Sequence, residues 1–304
     1  MWFKNILAYQ ITDNNLDITS DLENKLQSKR AKPCTFQEMA TYGFVAPYGD
    51  NEESPLVYAS QGFYLIAAQR EDRVLPTQVV KDALKDKVKE IEQRECRKVY
   101  KKEKDQLKDE IVQSLIPKTF TRKKVTYAVI IPKLNLILVD SSSAAKAEEL
   151  LSTLRECTGS LPIRPLSVKI AITATMTEWV KNQQAYSGFH ILEDCELRDC
   201  HEDGGVIKCK KQDLTTDEIL LHLKSGMLVT SLALSWRNQL SFTLDKNLGI
   251  KRLKFDDILM EKADQDAGDD EASQFDANFN LMMLTLSEFI PTLIEALGGK
   301  DKPY

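Results

Sequence analysis

The stretch Val125-Thr126-Tyr127-Ala128-Val129-Ile130-Ile131-Pro132-Lys133-Leu134-Asn135-Leu136-Ile137-Leu138-Val139, leading into Ser141-Ser142-Ser143, decides the fold class. Its two β-rich runs, Val125 to Ile131 and Leu134 to Val139, predict a hairpin. Ser141 to Ser143 can cap a helix that carries Ala147, Leu150, Leu151 and Leu154 on one face and ends at Gly159. The same strand, strand, helix order returns downstream. Phe189 to Leu197 and Gly205 to Cys209 precede a helix from about Thr216 to Lys224. Thr215 with Glu218 form a capping box there, Leu214 with Ile219 a staple, and Gly226 a stop. The likeness is architectural, without sequence repetition, and predicts an α+β protein.

Upstream lies a concentration of positive charge. Lys81 to Lys124 holds fifteen Lys or Arg against nine Asp or Glu, whereas the whole chain of 304 residues has 41 against 46. Pro76 suits a first helical turn, and Val80, Ala83, Leu84, Val88 and Ile91 then recur at steps of three and four. The pattern weakens at Arg97 to Lys102, resumes with Leu107, Ile111 and Leu115, and stops at Pro117. Two helices, or one bent helix, projecting from the body are expected. Further back, Trp2 to Ile11 predicts a strand, Thr19 to Ser28 a helix, and Tyr42 to Gly49 a Gly-Pro-rich connection. Leu56 to Ser60 and Phe63 to Gln69, joined by Gln61-Gly62, predict another hairpin.

Downstream, Leu228 to Trp236, Leu240 to Leu244 and Ile250 to Phe255 read as strands. Asp256 to Asp276 carries nine acids and one Lys, the composition of a solvated linker or of an acidic patch that repels DNA or meets a second subunit's basic segment. Phe275 to Leu297 is an apolar helix that must pack, with Pro291 expected to kink it. The expected division is 1–75 as an N-terminal α+β unit, 76–117 as a basic helical segment, 118–255 as an α+β region, and 256–304 as acidic linker plus helix.

A hydrophobic content of 42% suits a soluble globular chain, and no apolar run is long enough to cross a bilayer. The start lacks a secretory pattern, so a cytoplasmic protein is expected. Six cysteines without paired spacing suit reduced thiols. No phosphate-binding Gly-rich loop, CxxC pair, HExxH or GxSxG occurs, and neither a cofactor nor an enzyme is indicated. Cys195, Cys200, His201 and Cys209 have metal-donor atoms at a spacing unlike zinc knuckles, and incidental thiols are the better account. Glu178, Asp256 and Asp257 could hold a nuclease's divalent cation, but nothing ties them to further ligands. His222 falls inside the capped helix, in an ordinary surface or core role.

Two cationic clusters suit nucleic acid instead. In Lys118-Thr119-Phe120-Thr121-Arg122-Lys123-Lys124, an aromatic turn residue could wedge against bases while Lys118, Arg122 and Lys123 hold phosphates. The alternative is that Phe120 anchors its loop to the core. In Lys208, Lys210, Lys211 and Gln212, cations precede a helix start whose N–H groups and dipole favour phosphate.

Met1-Trp2-Phe3-Lys4-Asn5, Leu115-Ile116-Pro117, Gly159-Ser160-Leu161-Pro162, Glu178-Trp179 and Glu202 to Ile207 occur in an order that resembles the recombination-associated RdgC family of proteobacteria. Lys210 to Leu214, Lys251 to Phe255, Phe275-Asp276-Ala277 and Leu293 to Gly299 extend the resemblance over nearly the whole chain. It implies a multi-domain crescent that pairs with a twofold mate at both ends, making a homodimeric ring around double-stranded DNA, with single-stranded DNA a further candidate ligand. It also implies nucleoid association, little sequence preference, and restraint of the RecA recombinase by competition for DNA. The family's DNA-contacting pattern falls on Arg97, Lys118, Phe120, Lys211 and Gln212. Where the family often has Arg, this chain has Lys118, which keeps phosphate attraction but not a bidentate grip. The rival readings are a helical protein-interaction scaffold that does not touch DNA, and a nuclease.

Overall fold

The computed structural model describes residues 1–13, 18–49, 54–199, 201, 204–266, 268 and 270–301, excluding the side chains of 262–266. In chain order the first elements are β1 (Leu7–Ile11), α1 (Leu22–Gln27), β2 (Ala40–Val45), β3 (Val57–Ser60) and β4 (Phe63–Arg73). Helices α2 (Thr77–Glu95) and α3 (Lys101–Leu115) follow, then β5 (Thr121–Ile131), β6 (Leu136–Val139), α4 (Ala144–Thr158), β7 (Ile163–Pro165) and α5 (Ile172–Asn182). The remainder comprises β8 (Phe189–Arg198), β9 (Val206–Cys209), α6 (Asp217–Lys224), β10 (Leu228–Trp236), β11 (Leu240–Asp245), β12 (Ile250–Phe255), α7 (Asp257–Asp266) and α8 (Glu271–Ala296). The fold is α+β, built on two antiparallel sheets.

The first sheet has the order β2-β4-β5-β6-β1-β7, with β3 sharing the β2 edge of β4. The predicted hairpins at its centre are present. Gln61 and Gly62 both take positive φ, 50° and 83°, which matches the right-handed twist of the strands they join. Along β5, Ala128, Val129, Ile130 and Ile131 are all buried, because this sheet is covered on both faces. One face packs on α1 and α4 through Leu22, Leu26, Leu150 and Leu154. The other packs through Leu65, Val129 and Leu138 into a larger core shared with α8 and the second sheet, whose order is β12-β11-β10-β8-β9.

Several expectations change. Tyr42 to Val45 belongs to β2 and not to a connection, since it pairs with β4 and lies against Lys29 to Ala31. Gly43 permits that approach: a Cβ there would meet the Ala31 Cα at 2.6 Å. The first strand spans less than Trp2 to Ile11, and the first helix begins only at Leu22. β5 starts at Thr121, so Arg122, Lys123 and Lys124 are strand residues paired with Asp72, Glu71 and Arg70. Strand β7 and helix α5 were not foreseen. Within the acidic tract, α7 replaces the expected linker, and Asp256 caps it by accepting the Ile258 N–H at 3.0 Å.

Gly159, at φ 77°, ends α4 as expected, but the predicted N-cap bonds differ. Ser143 is the N-cap of α4 without a side-chain bond, and Ser141 Oγ accepts the Ser143 N–H instead. Thr216 is the N-cap of α6, while Thr215 turns back to donate to Asp213, so no Thr215–Glu218 box forms. Helix α8 does bury its apolar face on the core, with Phe279, Met282, Met283, Leu286 and Phe289 fully buried and Pro291 inside the helix. No helix among the described residues is long and apolar enough to cross a membrane.

Candidate nucleic-acid interface

The basic helical segment is two helices. Cys96 enters the left-handed region at φ 49°, ends α2, and lets α3 fold back against it. Glu92 steadies the corner by accepting the Val99 N–H at 3.0 Å. Helix α3 buries none of its residues fully, and its packing partners are α2 and the 3-10 turn Ile116–Lys118. Arg97 stands at the corner in a fork with Glu103, both bonds 2.7 Å, and reaches Glu95 with its Nε, also at 2.7 Å. These bonds, Glu103 first, hold its guanidinium pKa above the ordinary value. A phosphate arriving at Arg97 therefore has two carboxylates to displace.

At the base of the hairpin the deciding residue is Arg73, at the end of β4. Its guanidinium donates to the carbonyls of Thr35 (2.9 Å), Ile116 (3.0 Å), Glu38 (3.1 Å) and Thr119 (3.2 Å). Two loops far apart in sequence are thereby fixed against one strand end. Val74 N–H donates to the Phe120 carbonyl at 2.8 Å, and Phe120 is left 87% exposed. Phe120 is therefore not an anchor to this chain's core. Lys118, at the end of the 3-10 turn, and Arg122 flank it, both exposed.

Strand alternation separates the remaining cations. Arg122 and Lys124 share one face of β5, while Lys123 points to the other with Val125 and Tyr127. There Lys123 lines a cavity of about 540 Å³ with Arg30, Lys32 and Glu71. Sequence reasoning missed Arg73, since nothing marks which strand-end Arg will find four carbonyls. Arg73→Lys is expected to destabilise the fold by about 2 kcal/mol, because an ammonium cannot span the fork. Urea unfolding and faster hydrogen exchange of the Val74 amide check this; an unchanged midpoint and unchanged exchange would refute it.

The second cluster follows β9. Lys211 takes a left-handed backbone, φ 52°, and its N–H donates to Asp194 Oδ1 at 2.9 Å, while Gln212 N–H donates to the Glu193 carbonyl at 3.1 Å. Lys208 pairs with Glu196 at 3.2 Å. The expected phosphate seat at the start of α6 is already occupied by charge of the wrong sign: Asp217 and Glu218 stand in its first turn. The loop's own cations, and not that helix dipole, are what it offers to an anion. Arg97, the Phe120 turn and the Lys210 to Gln212 loop thus occupy three places, the hairpin corner, the first sheet's end and the second sheet.

A family described as "Putative exonuclease, RdgC" matches residues 1–300 of this chain. The chain belongs to the RdgC family. The Recombination-associated protein RdgC of Pseudomonas aeruginosa is 60% identical over 304 residues, covering 100% of this chain and 99% of that protein. Proteins of the same name from Pseudomonas putida and Pseudomonas syringae are each 57% identical over 303 residues, again covering 100% of this chain and 99% of theirs.

In this RdgC-family chain the candidate metal groups have other uses. Cys195 and Cys209 are buried cross-strand neighbours on β8 and β9, and burial, reinforced by Cys209, pushes the Cys195 thiol up to about 12. His201 is exposed, and Cys200 lies outside the described residues. Glu178 pairs with Lys181 at 3.5 Å on the surface of α5. Among the described residues, no three His, Cys, Asp or Glu side chains converge as a ligand set.

Proposed function

We propose that this RdgC-family chain acts in DNA recombination by binding double-stranded DNA with little sequence preference. Two copies close into a ring around the duplex, and the bound ring limits RecA's access to DNA. Phe120 carries the reading. A large aromatic is held out to water by a backbone bond and a four-carbonyl clamp, between Lys118 and Arg122. That arrangement suits a ring that wedges or stacks on bases while cations hold phosphates. The relatives' name supports the recombination setting. Single-stranded DNA offers the same phosphates and bases and is the second ligand of the proposal.

The role is one of binding and not of catalysis, in a cytoplasmic, nucleoid-associated protein. The four-part division at 75, 117 and 255 is proposed as a division along the chain, with strands from 1–75 and from 118–255 pairing in the first sheet. A scaffold reading has one observation in its favour, the largely exposed α3. Duplex titrations across salt test the proposal: log affinity is expected to fall with log salt by about 0.9 per phosphate neutralised. Residence on circular DNA should outlast that on short linear fragments of equal sequence, and circles should stay intact with magnesium or manganese. A flat salt response, equal dissociation rates from both forms, or nicked circles would each remove the corresponding part.

A further inference from the structure

The outer face of the second sheet carries a cationic surface of its own. Along β10 and β11 the residues Leu232, Leu234, Trp236, Leu240, Phe242 and Leu244 point into the core, which leaves Ser231, Ala233, Ser235, Ser241 and Thr243 on the opposite face. These side chains are small, and two of their cross-strand pairs are Ser235 with Ser241 and Ala233 with Thr243. A depression of about 220 Å³ lies here, floored by Ser231 and Thr243. Lys208 and Lys210 border it from β9 and the loop after it, and Lys251 and Arg252 from β12.

The β12 rim depends on a backbone irregularity. Lys254 is opposite Ser241 and Lys251 is opposite Thr243, so two residues of β12 face one of β11. Arg252 takes φ 52° at this bulge, a left-handed conformation that is strained for a residue other than glycine. Its effect is on direction. A regular strand would alternate Lys251 out, Arg252 in and Leu253 out, whereas here Lys251 and Arg252 both reach the outer face and Leu253 is buried. Strain that turns a cation outward is of the kind stored at binding sites.

One carboxylate joins this rim to the loop described above. Asp194 accepts the Lys211 N–H with Oδ1, and its Oδ2 lies 3.5 Å from an Arg252 guanidinium nitrogen. Lys208 and Lys251 are held by Glu196 and Asp245, at 3.2 and 2.7 Å. All three cations are at least two-fifths exposed while their carboxylates are half-buried, and ion pairs open to water on the cation's side are weak, so a phosphate can exchange for the carboxylate.

We propose that this outer sheet face is a second DNA-backbone surface, in which Lys208, Lys210, Lys251 and Arg252 take phosphates over a Ser231–Thr243 floor and Asp194 positions Arg252 and Lys211. It rests on the duplex-binding reading above and adds residues to it. The occupant is the phosphodiester backbone, argued from charge and from continuity with the Lys210 to Gln212 loop.

The test uses the full chain with Lys251→Gln and Arg252→Asn, since Asn tolerates the left-handed backbone. A fluorescent duplex of random sequence is titrated across salt. The slope of log affinity against log salt should fall by about 1.8, and affinity at 0.1 M salt by about 60-fold. Exchanging the charges, Lys251→Arg with Arg252→Lys, should keep the slope. Values within twofold of the parent for the neutral variant, while Lys118→Ala with Arg122→Ala weakens binding, overturn the surface alone. A parent chain with no salt-dependent duplex binding overturns the surface together with the reading beneath it.

Discussion

Alanine at Lys118, Arg122, Lys210 and Lys211 together is expected to lower duplex affinity by roughly three and a half orders of magnitude at 0.1 M salt. Four phosphate contacts at about 0.9 each make a slope change of about 3.6, and a tenfold dilution from 1 M salt converts that slope into about 3.6 decades. None of the four makes an ion pair within the described structure, so their removal strands no partner carboxylate. The fold should therefore survive, which circular dichroism and the unfolding midpoint can confirm. The same variant separates the rival reading. A scaffold would retain its protein partners and be indifferent to the loss of these cations, whereas a DNA binder would lose its DNA at unchanged stability. Affinity within threefold of the parent would remove these residues from the interface.

Phe289→Ala is expected to cost roughly 3–5 kcal/mol of folding stability, the range for truncating a fully buried Phe. Phe289 lies on α8 with no exposed surface, and its ring meets those of Phe242 at 4.9 Å, Trp236 at 5.5 Å and Phe189 at 6.3 Å. Those partners come from three strands of the second sheet, and α8 also closes the core over the first. Removing the ring leaves a cavity that rigid strands cannot fill. Urea unfolding followed by near-ultraviolet dichroism of Trp236 should show the shift, and a loss below about 1 kcal/mol would mean that α8 is not the keystone its burial indicates.

How much was legible in the sequence differs between elements for identifiable reasons. Runs such as Ala128 to Ile131 and Leu136 to Val139 are apolar without interruption because both of their faces are covered, and such runs declare themselves. The hairpin at Gln61-Gly62 and the helix break near Arg97 were legible because backbone chemistry there is local. Strand β7 escaped because it is only three residues long and is defined by its pairing with β1, and helix α5 because it owes its place to packing on β10, far away in sequence. The N-cap side-chain bonds escaped similarly: Ser, Thr and Asp stand close together before α4 and α6, and composition does not say which oxygen wins.

For the candidate site, charge density along the chain was enough to pick out Lys118, Arg122 and the Lys210 to Gln212 loop. It could not tell that Lys123 leaves Arg122's face, nor that Arg97 is already gripped by Glu95 and Glu103. Sequence by itself determined the α+β class, the broken basic helical segment, the family and the cations available to a polyanion, since periodicity, turn chemistry and net charge are properties of neighbouring residues. Tertiary structure alone decided that Arg73 clamps two loops, that Phe120 stays in water, and that a bulge turns Arg252 outward. Each of those depends on hydrogen bonds and strand register between segments far apart along the chain, and such pairings exist only once the chain has folded.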